Sequence, residues 1–329
     1  MKPRAGMIGI ALPLLLAGCF DTQSVLAPAG PEADRIFYLA GVLFIGAIIV
    51  MLVVMAALWL SIRGSHKTRR TLAGDNAVVV GGVIFPVVTL TALLAYGVWV
   101  MRANISHTST SDPVRIDVVG EQWWWRIAYL DAQGNRIAGA NEIRIPIGRE
   151  VEFTLRSADV IHSFWVPSLG GKVDMIPGRS NALRLVAERP GIYRGQCAEY
   201  CGGPHALMAL EVVAVPNDEF IAWLSVAAQP AQEPARDAER RGRELFLAAG
   251  CGSCHAIRGT LADGVIGPDL TRLGERRFIA AATLPMTPAN IARFITDGQH
   301  IKPDNGMPPF RIFTADELAA VSGYLAGLK

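Results

Sequence analysis

The sequence predicts a membrane-anchored chain of several domains: a hairpin of two transmembrane helices, an all-β domain, and an all-α domain at the C-terminus. Three observations carry this reading. Two long charge-free runs, residues 36–62 and 77–101, each exceed the roughly 20 residues that a bilayer requires. Between residues 110 and 226 the pattern changes to short segments rich in β-branched and aromatic residues, separated by turn signals. Beyond a Pro-rich stretch at 227–237 the composition turns helical through residues 238–329.

The chain has 329 residues, room for two domains beside the apolar spans at roughly 150 residues per domain. A net charge of +2 makes no electrostatic case for nucleic acid or an acidic polymer. Mean hydropathy is positive, +0.31, and the excess sits in a few runs near the N-terminus.

Residues 1–19 read as a signal peptide, with Lys2 and Arg4 ahead of the apolar stretch Met7–Leu16. The cleavage site Leu16-Ala17-Gly18-Cys19 is similar to a bacterial lipobox, which would make Cys19 a lipidated N-terminus; ordinary signal-peptidase cleavage is the alternative. The first span, 36–62, is followed by a loop carrying Arg63, Lys67, Arg69 and Arg70. The segment ahead of the span holds Asp21, Glu32 and Asp34 against Arg35, so the positive-inside rule puts the loop in the cytoplasm and both flanks outside. Pro86 interrupts the second span, 77–101, which a transmembrane helix tolerates.

Within the β region the expected strands are 114–119, 123–130, 142–147, 151–156, 181–187, 192–196 and 208–215, an antiparallel sandwich or barrel. The stretch Gln229–Asp237, with two Pro and no apolar periodicity, reads as a linker. An amphipathic helix at 239–249 runs directly into Cys251, and a closing helix at 314–328 starts with Thr-Ala-Asp-Glu, an N-cap with acidic first-turn residues.

The chemistry is concentrated in Cys197-Ala-Glu-Tyr-Cys201-Gly-Gly-Pro-His205-Ala-Leu-Met208. Two thiolates, an imidazole and a thioether form a soft donor set that points first to copper. Structural zinc sites usually pair their ligands as close doublets on two limbs, which this stretch does not do. Gly-Gly-Pro ahead of His205 argues for a loop. A second imidazole is needed, and His162 is the candidate. Taken alone, the two cysteines could form a disulfide and Met208 could fill a core; His205 and the residues around His162 weigh against both. Cys251-Gly-Ser-Cys254-His255 is the c-type haem attachment pattern, in which the thiols bond the haem and the histidine ligates iron. A redox-active cysteine pair or half a zinc site are the alternatives to it.

Three stretches carry a family resemblance: Gln-Trp-Trp-Trp at 122–125, Val-Ile-His-Ser-Phe-Trp-Val-Pro-Ser-Leu-Gly-Gly-Lys-Val-Asp-Met-Ile-Pro-Gly-Arg at 160–179, and Gly-Gln-Cys-Ala-Glu-Tyr-Cys-Gly-Gly-Pro-His-Ala-Leu-Met at 195–208. Over roughly residues 30–225 the chain resembles subunit II of a haem–copper cytochrome c oxidase. From about 236 onward it resembles a class I cytochrome c, with Gly267-Pro268-Asp269-Leu270 and Asn305-Gly306-Met307-Pro308-Pro309-Phe310 as further matches. The combination is similar to the caa3-type oxidases. The resemblance implies a cupredoxin-like barrel in which His162, Cys197, Cys201, His205 and Met208 bind the two copper ions of copper A, with the Glu199 carbonyl as a further ligand. It implies that the Glu199 side chain helps hold magnesium at the boundary with subunit I, and that Asp174 orients that interface or caps its turn. It implies covalent haem c on Cys251 and Cys254, with His255 and Met307 axial; Met286 and His300 are the competing ligands. Trp123 matches the aromatic residue where an external cytochrome delivers electrons; with a fused haem domain it would serve an internal step, the linker acting as a tether.

The implied partners are oxidase subunits I and III, with cytochrome c or the bc1 complex as donor. The implied location is the bacterial inner membrane, with both globular domains on the periplasmic face. The implied function is to accept electrons for oxygen reduction coupled to proton pumping, the oxygen-reducing site lying in another subunit. One departure stands out: many relatives carry a Glu before the proline of the second span, and here that position is Val79, with Asp75 nearby. The intact ligand set argues against a copper-less quinol-oxidase homologue, and six histidines cannot supply the His-rich cluster of nitrous-oxide reductase. A membrane-anchored copper and haem electron carrier outside any oxidase is the alternative of a different class.

Overall fold

The computed structural model describes residues 21–106, 112–131 and 134–329; the leader and Cys19 lie outside them. The described residues divide into two compact units: 34–106, and 21–33 together with 112–329.

The first unit holds the two apolar helices. Helix α1, Pro31–Arg63, extends the expected span at both ends. A short helix, His66–Leu72, follows, N-capped by Ser65, whose hydroxyl accepts from the Thr68 N–H at 3.2 Å. The second span opens with Asp75–Val79, widens into a π turn at Val80–Ile84, and continues as α2, Phe85–Ser106. Pro86 accounts for the widening: it supplies no N–H, and its ring crowds the carbonyl four residues earlier, inside the π turn. Both helices are long and apolar enough to cross a membrane, with mean hydropathy 2.9 and 2.4 in their best windows.

In the second unit, strands β1 (Val114–Glu121), β2 (Trp124–Leu130), β3 (Arg136–Ala140), β4 (Glu142–Pro146), β5 (Val151–Ser157), β6 (His162–Trp165), β7 (Val173–Met175), β8 (Asn181–Leu185), β9 (Gly191–Cys197) and β10 (Ala209–Val215) form two five-stranded sheets. Their orders are β3-β2-β1-β5-β8 and β4-β10-β9-β6-β7. The sheets are mixed, not purely antiparallel as expected: β1 runs parallel to β5, and β4 parallel to β10. Inward alternation is clean on β5, where Val151, Phe153 and Leu155 are buried, and on β9, where Tyr193, Gly195 and Cys197 are. Trp125, Phe153 and Phe164 stack in the centre, the Phe164 ring 5.7 Å from Trp125 and 5.3 Å from Phe153.

Residues 21–33 also belong to this unit. Thr22 O accepts from the Arg194 N–H at 3.0 Å, the Ala29 N–H donates to Ser168 O at 2.7 Å, and the Glu188 N–H donates to Ala29 O at 2.8 Å. Gly30 is required there, since a Cβ would sit 2.3 Å from Val186 O.

After β10 comes a helix that the strand pattern did not announce, α3, Asn217–Ala227. It seats Phe220 and Trp223 on Tyr129, the Trp223 ring 5.2 Å away. The linker residues are not free, because the Ala231 N–H donates to Arg258 O at 2.8 Å. The C-terminal region packs α4 (Asp237–Ala248), α5 (Pro288–Ile301) and α6 (Ala315–Gly327) around Phe246, Ile257, Ile291, Ile295, Val321 and Leu325. Thr314 caps α6 in a capping box with Glu317. Helices α4 and α6 cross at Gly242, where a Cβ would stand 2.1 Å from Ala320 O.

Candidate metal centre

Strand register builds the first half of the site. Phe164 of β6 pairs with Cys197 of β9, and His162 shares the face of Phe164, so the imidazole falls beside the end of β9. The second half comes from the loop back to β10. Gly202, at φ 117°, reverses the chain, and a 3-10 turn at Gly203–Leu207 presents His205. The Cys197 N–H donating to Met208 O at 2.9 Å closes the loop.

The predicted donors converge. Cys197 Sγ lies 3.8 Å from His162 Nδ1, 3.8 Å from Cys201 Sγ and 3.2 Å from the Glu199 carbonyl oxygen. Cys201 Sγ lies 3.5 Å from His205 Nδ1 and 3.8 Å from Met208 Sδ. The two sulfurs are therefore unbonded, since a disulfide would hold them about 2.05 Å apart. His162, Cys197, Cys201 and Met208 are buried and His205 half-buried. The contact between the cysteines favours one thiolate: the Cys201 thiol pulls the Cys197 pKa down, and Cys197 pushes Cys201 up. Burial would lower the His162 pKa, but hydrogen bonds to Cys197 and Asp159 outweigh it and raise it.

A supporting layer surrounds the donors. Asp159 Oδ1 lies 2.7 Å from His162 Nε2, which orients Nδ1 toward Cys197. The Cys201 carbonyl accepts from Gln122 Nε2 at 2.7 Å and from the Trp123 indole N–H at 3.0 Å. Gly120 leaves the room the imidazole occupies; a Cβ there would meet His162 Cδ2 at 2.8 Å. Asp159 and Gly120 were not singled out from the sequence, and Gln122 entered only as part of the Gln-Trp-Trp-Trp stretch, without a role of its own. Trp123 is buried against this loop, Trp125 is core, and Trp124 is half-buried under the Arg126 guanidinium.

The Glu199 carboxylate is engaged by a lysine. Lys172 Nζ lies 3.1 Å from Glu199 Oε2 and 3.3 Å from Asp174 Oδ1, so an ammonium already joins these two carboxylates. The Ser163 hydroxyl donates to Asp174 at 2.8 Å and holds its pKa below the usual range.

The second site lies where α4 ends. Gly250, at φ 77°, breaks the helix, and Cys251 and Cys254 flank a short 3-10 turn with their thiols free. His255 Nδ1 lies 2.8 Å from Pro268 O, a carbonyl that can only accept, so Nδ1 carries a proton; burial lowers the pKa of the ring. Gly267 gives this ring its space, since a Cβ would stand 2.4 Å from His255 Cε1. Met307 is held at its backbone, its N–H donating to Asn305 Oδ1 at 2.9 Å and its carbonyl accepting from Gln299 Nε2 at 3.1 Å. Both Met286 and Met307 pack against the domain core, while His300 is exposed.

Fold and sites together define a membrane-anchored protein whose two-sheet, cupredoxin-like β domain carries a donor-rich loop and is fused to a cytochrome-like helical domain. Family comparison agrees: residues 131–215 match cytochrome c oxidase subunit II, periplasmic domain, and residues 239–329 match cytochrome c. The chain is 32% identical to cytochrome c oxidase subunit 2 of Alkalihalophilus pseudofirmus, over 97% of this chain and 95% of that one. It is 28% identical to the same subunit of Bacillus subtilis over the same shares. Among solved structures, the periplasmic domain of subunit II of cytochrome oxidase of Bradyrhizobium japonicum is 32% identical over 36% of this chain and 96% of that chain, with a TM-score of 0.34. The chain belongs to the cytochrome c oxidase subunit 2 family.

Proposed function

We propose that this chain is the subunit through which electrons enter a haem–copper terminal oxidase. It would accept them from a cytochrome c-type donor and pass them, by way of haem c and binuclear copper A, to subunit I, where oxygen is reduced to water with proton pumping. The observation that carries this reading is the donor cluster: two thiols, two imidazoles, a thioether and a carbonyl within 3.2–3.8 Å of a neighbouring donor.

The donor set fits the implied metal. His162, Cys197, Cys201, His205, Met208 and the Glu199 carbonyl would hold two copper ions, which would supply a one-electron store of low reorganisation. The chain's own part is rigidity. Sheet register fixes His162 and Cys197, Asp159 fixes the imidazole, and Gln122 with Trp123 fixes the loop at Cys201. Cys251, Cys254, His255 and Met307 would hold haem c, and a His/Met pair raises its potential. The Pro268 carbonyl keeps the His255 proton on Nδ1. For the Glu199 side chain to hold magnesium, Lys172 would have to turn away. The positive loop between the spans supports a location in a bacterial inner membrane with the globular domains on the periplasmic face.

Optical and electron paramagnetic resonance spectra of the detergent-purified full chain, loaded with copper and haem, test the reading. A mixed-valence two-copper signal beside a low-spin haem c spectrum is expected. Haem without the two-copper signal would return the barrel to the copper-less type. Absence of a large polytopic partner from gentle extracts would favour a membrane-anchored electron carrier instead.

A further inference from the structure

Lys302, the residue that ends α5, is buried at 3% exposure, and no carboxylate pairs with it among the described residues. Burial pushes its pKa down to about 7, and Nζ donates to backbone carbonyls on three sides: those of Trp123, of Leu207 at 2.9 Å, and of Ala280 at 3.3 Å. A buried lysine must satisfy its donors, and the three carbonyls match the three that the protonated form carries. Two of these carbonyls belong to the barrel, and both lie beside the candidate metal site. Leu207 precedes Met208 in the chain, and the Trp123 indole holds the Cys201 carbonyl. On its own side, Lys302 is tied to Met307: Asn305 Nδ2 donates to Lys302 O at 2.7 Å, and Asn305 Oδ1 accepts from the Met307 N–H.

A second feature meets the barrel at the same place. Ala280, Ala281 and Ala282 lie at φ 54°, 58° and 58°, a left-handed turn that L-residues disfavour. All three carbonyls are used. Ala280 O accepts from Lys302, Ala281 O from the Ala209 N–H at 3.3 Å, and Ala282 O from an Arg194 guanidinium N–H at 3.3 Å. Two of the three donors that hold the turn, Ala209 and Arg194, belong to the barrel. Toward the rim, Arg277 pairs with Glu211 at 3.0 Å and its N–H donates to Glu142 at 2.9 Å.

We propose that Lys302 is a positioning residue, a buried latch that fixes the loop carrying Met307 against the loop carrying His205 and Met208. The helical domain is thus docked in one place, not swung on a tether. The naming of the two cofactors rests on the function proposed above; the latch itself does not.

The test uses the full chain in detergent. Hydrogen exchange followed by mass spectrometry reads the amides of 207–209 and 279–284 in the wild type, Lys302→Met and Arg277→Gln. Lys302→Met should raise their exchange on the order of tenfold or more. Arg277→Gln, and about 1 M salt on the wild type, should leave it nearly unchanged, because screening reaches rim charges and not a buried contact. Unchanged exchange in Lys302→Met overturns the latch. So does opening of the interface by salt or by Arg277→Gln, an arm that stands even if Lys302→Met fails to fold. Spectra of the same samples keep the two ideas apart: a wild type lacking the cofactor signals sinks the functional reading and leaves the exchange result standing. With both cofactors present, Lys302→Met should slow electron exchange between them without altering either spectrum.

Discussion

At Gly120 a missing side chain decides whether the imidazole of His162 can reach Cys197. Gly120→Ala places a methyl 2.8 Å from the ring, and the ring must yield because the sheet backbone cannot. The expected result is a folded barrel, unchanged in far-ultraviolet circular dichroism, that binds copper at least about tenfold more weakly by titration. Wild-type affinity in this variant would show that His162 is not a required ligand. The primary donors were legible in the sequence because four of them sit within a dozen residues and their chemistry is distinctive. Gly120, Asp159 and Lys302 were not, because their roles depend on contacts that only folding creates. Lys302 reaches a carbonyl 179 residues away.

Helices and strands differ in how much of them the sequence betrays. Both apolar spans and the closing helix declare themselves by length or by a capping pattern. Strands β3, β6 and β7, of five, four and three residues, are too short for alternation to register. The two parallel pairings were hidden as well, since strand direction follows from sheet order and not from any one strand. The helical domain offers two tests at this scale. Gly242→Val would drive a branched side chain into the Ala320 carbonyl and part α4 from α6, at a cost of about 3 kcal/mol in chemical denaturation. An unchanged midpoint would mean that the helices do not cross there. At the start of α6, hydrogen bonds from the Thr314 N–H and hydroxyl lower the Glu317 pKa, so the ionised capping box stabilises the fold. A lowered carboxyl pKa contributes stability above its unfolded value, about 4.3, and loses it as pH falls through the folded value. The melting-temperature gap between wild type and Thr314→Ala should therefore narrow as pH drops below about 4. A gap that widens on acidification would contradict this.

For the whole molecule, the division into units does not follow the order of the chain. Residues 21–33 are built into the same unit as 112–329, joined to it by three backbone hydrogen bonds and by Glu32 Oε1, which accepts from the Gly171 N–H at 3.2 Å. A soluble fragment beginning at Asp112 would lack that segment. At about 1 kcal/mol per backbone bond, it should unfold with some 3 kcal/mol less stability than a fragment carrying residues 21–33 on a flexible linker. Equal denaturation midpoints would show the segment to be a passive leader.

The apolar hairpin is in this sense an insertion, entered and left through two ends of chain that belong to one folded body. Severing one of them is then a nick and not a release. A protease site engineered between Ser106 and Asp112 should yield two pieces that stay together on the membrane after cutting. They should part only when denaturant, or loss of residues 21–33, frees the second hold.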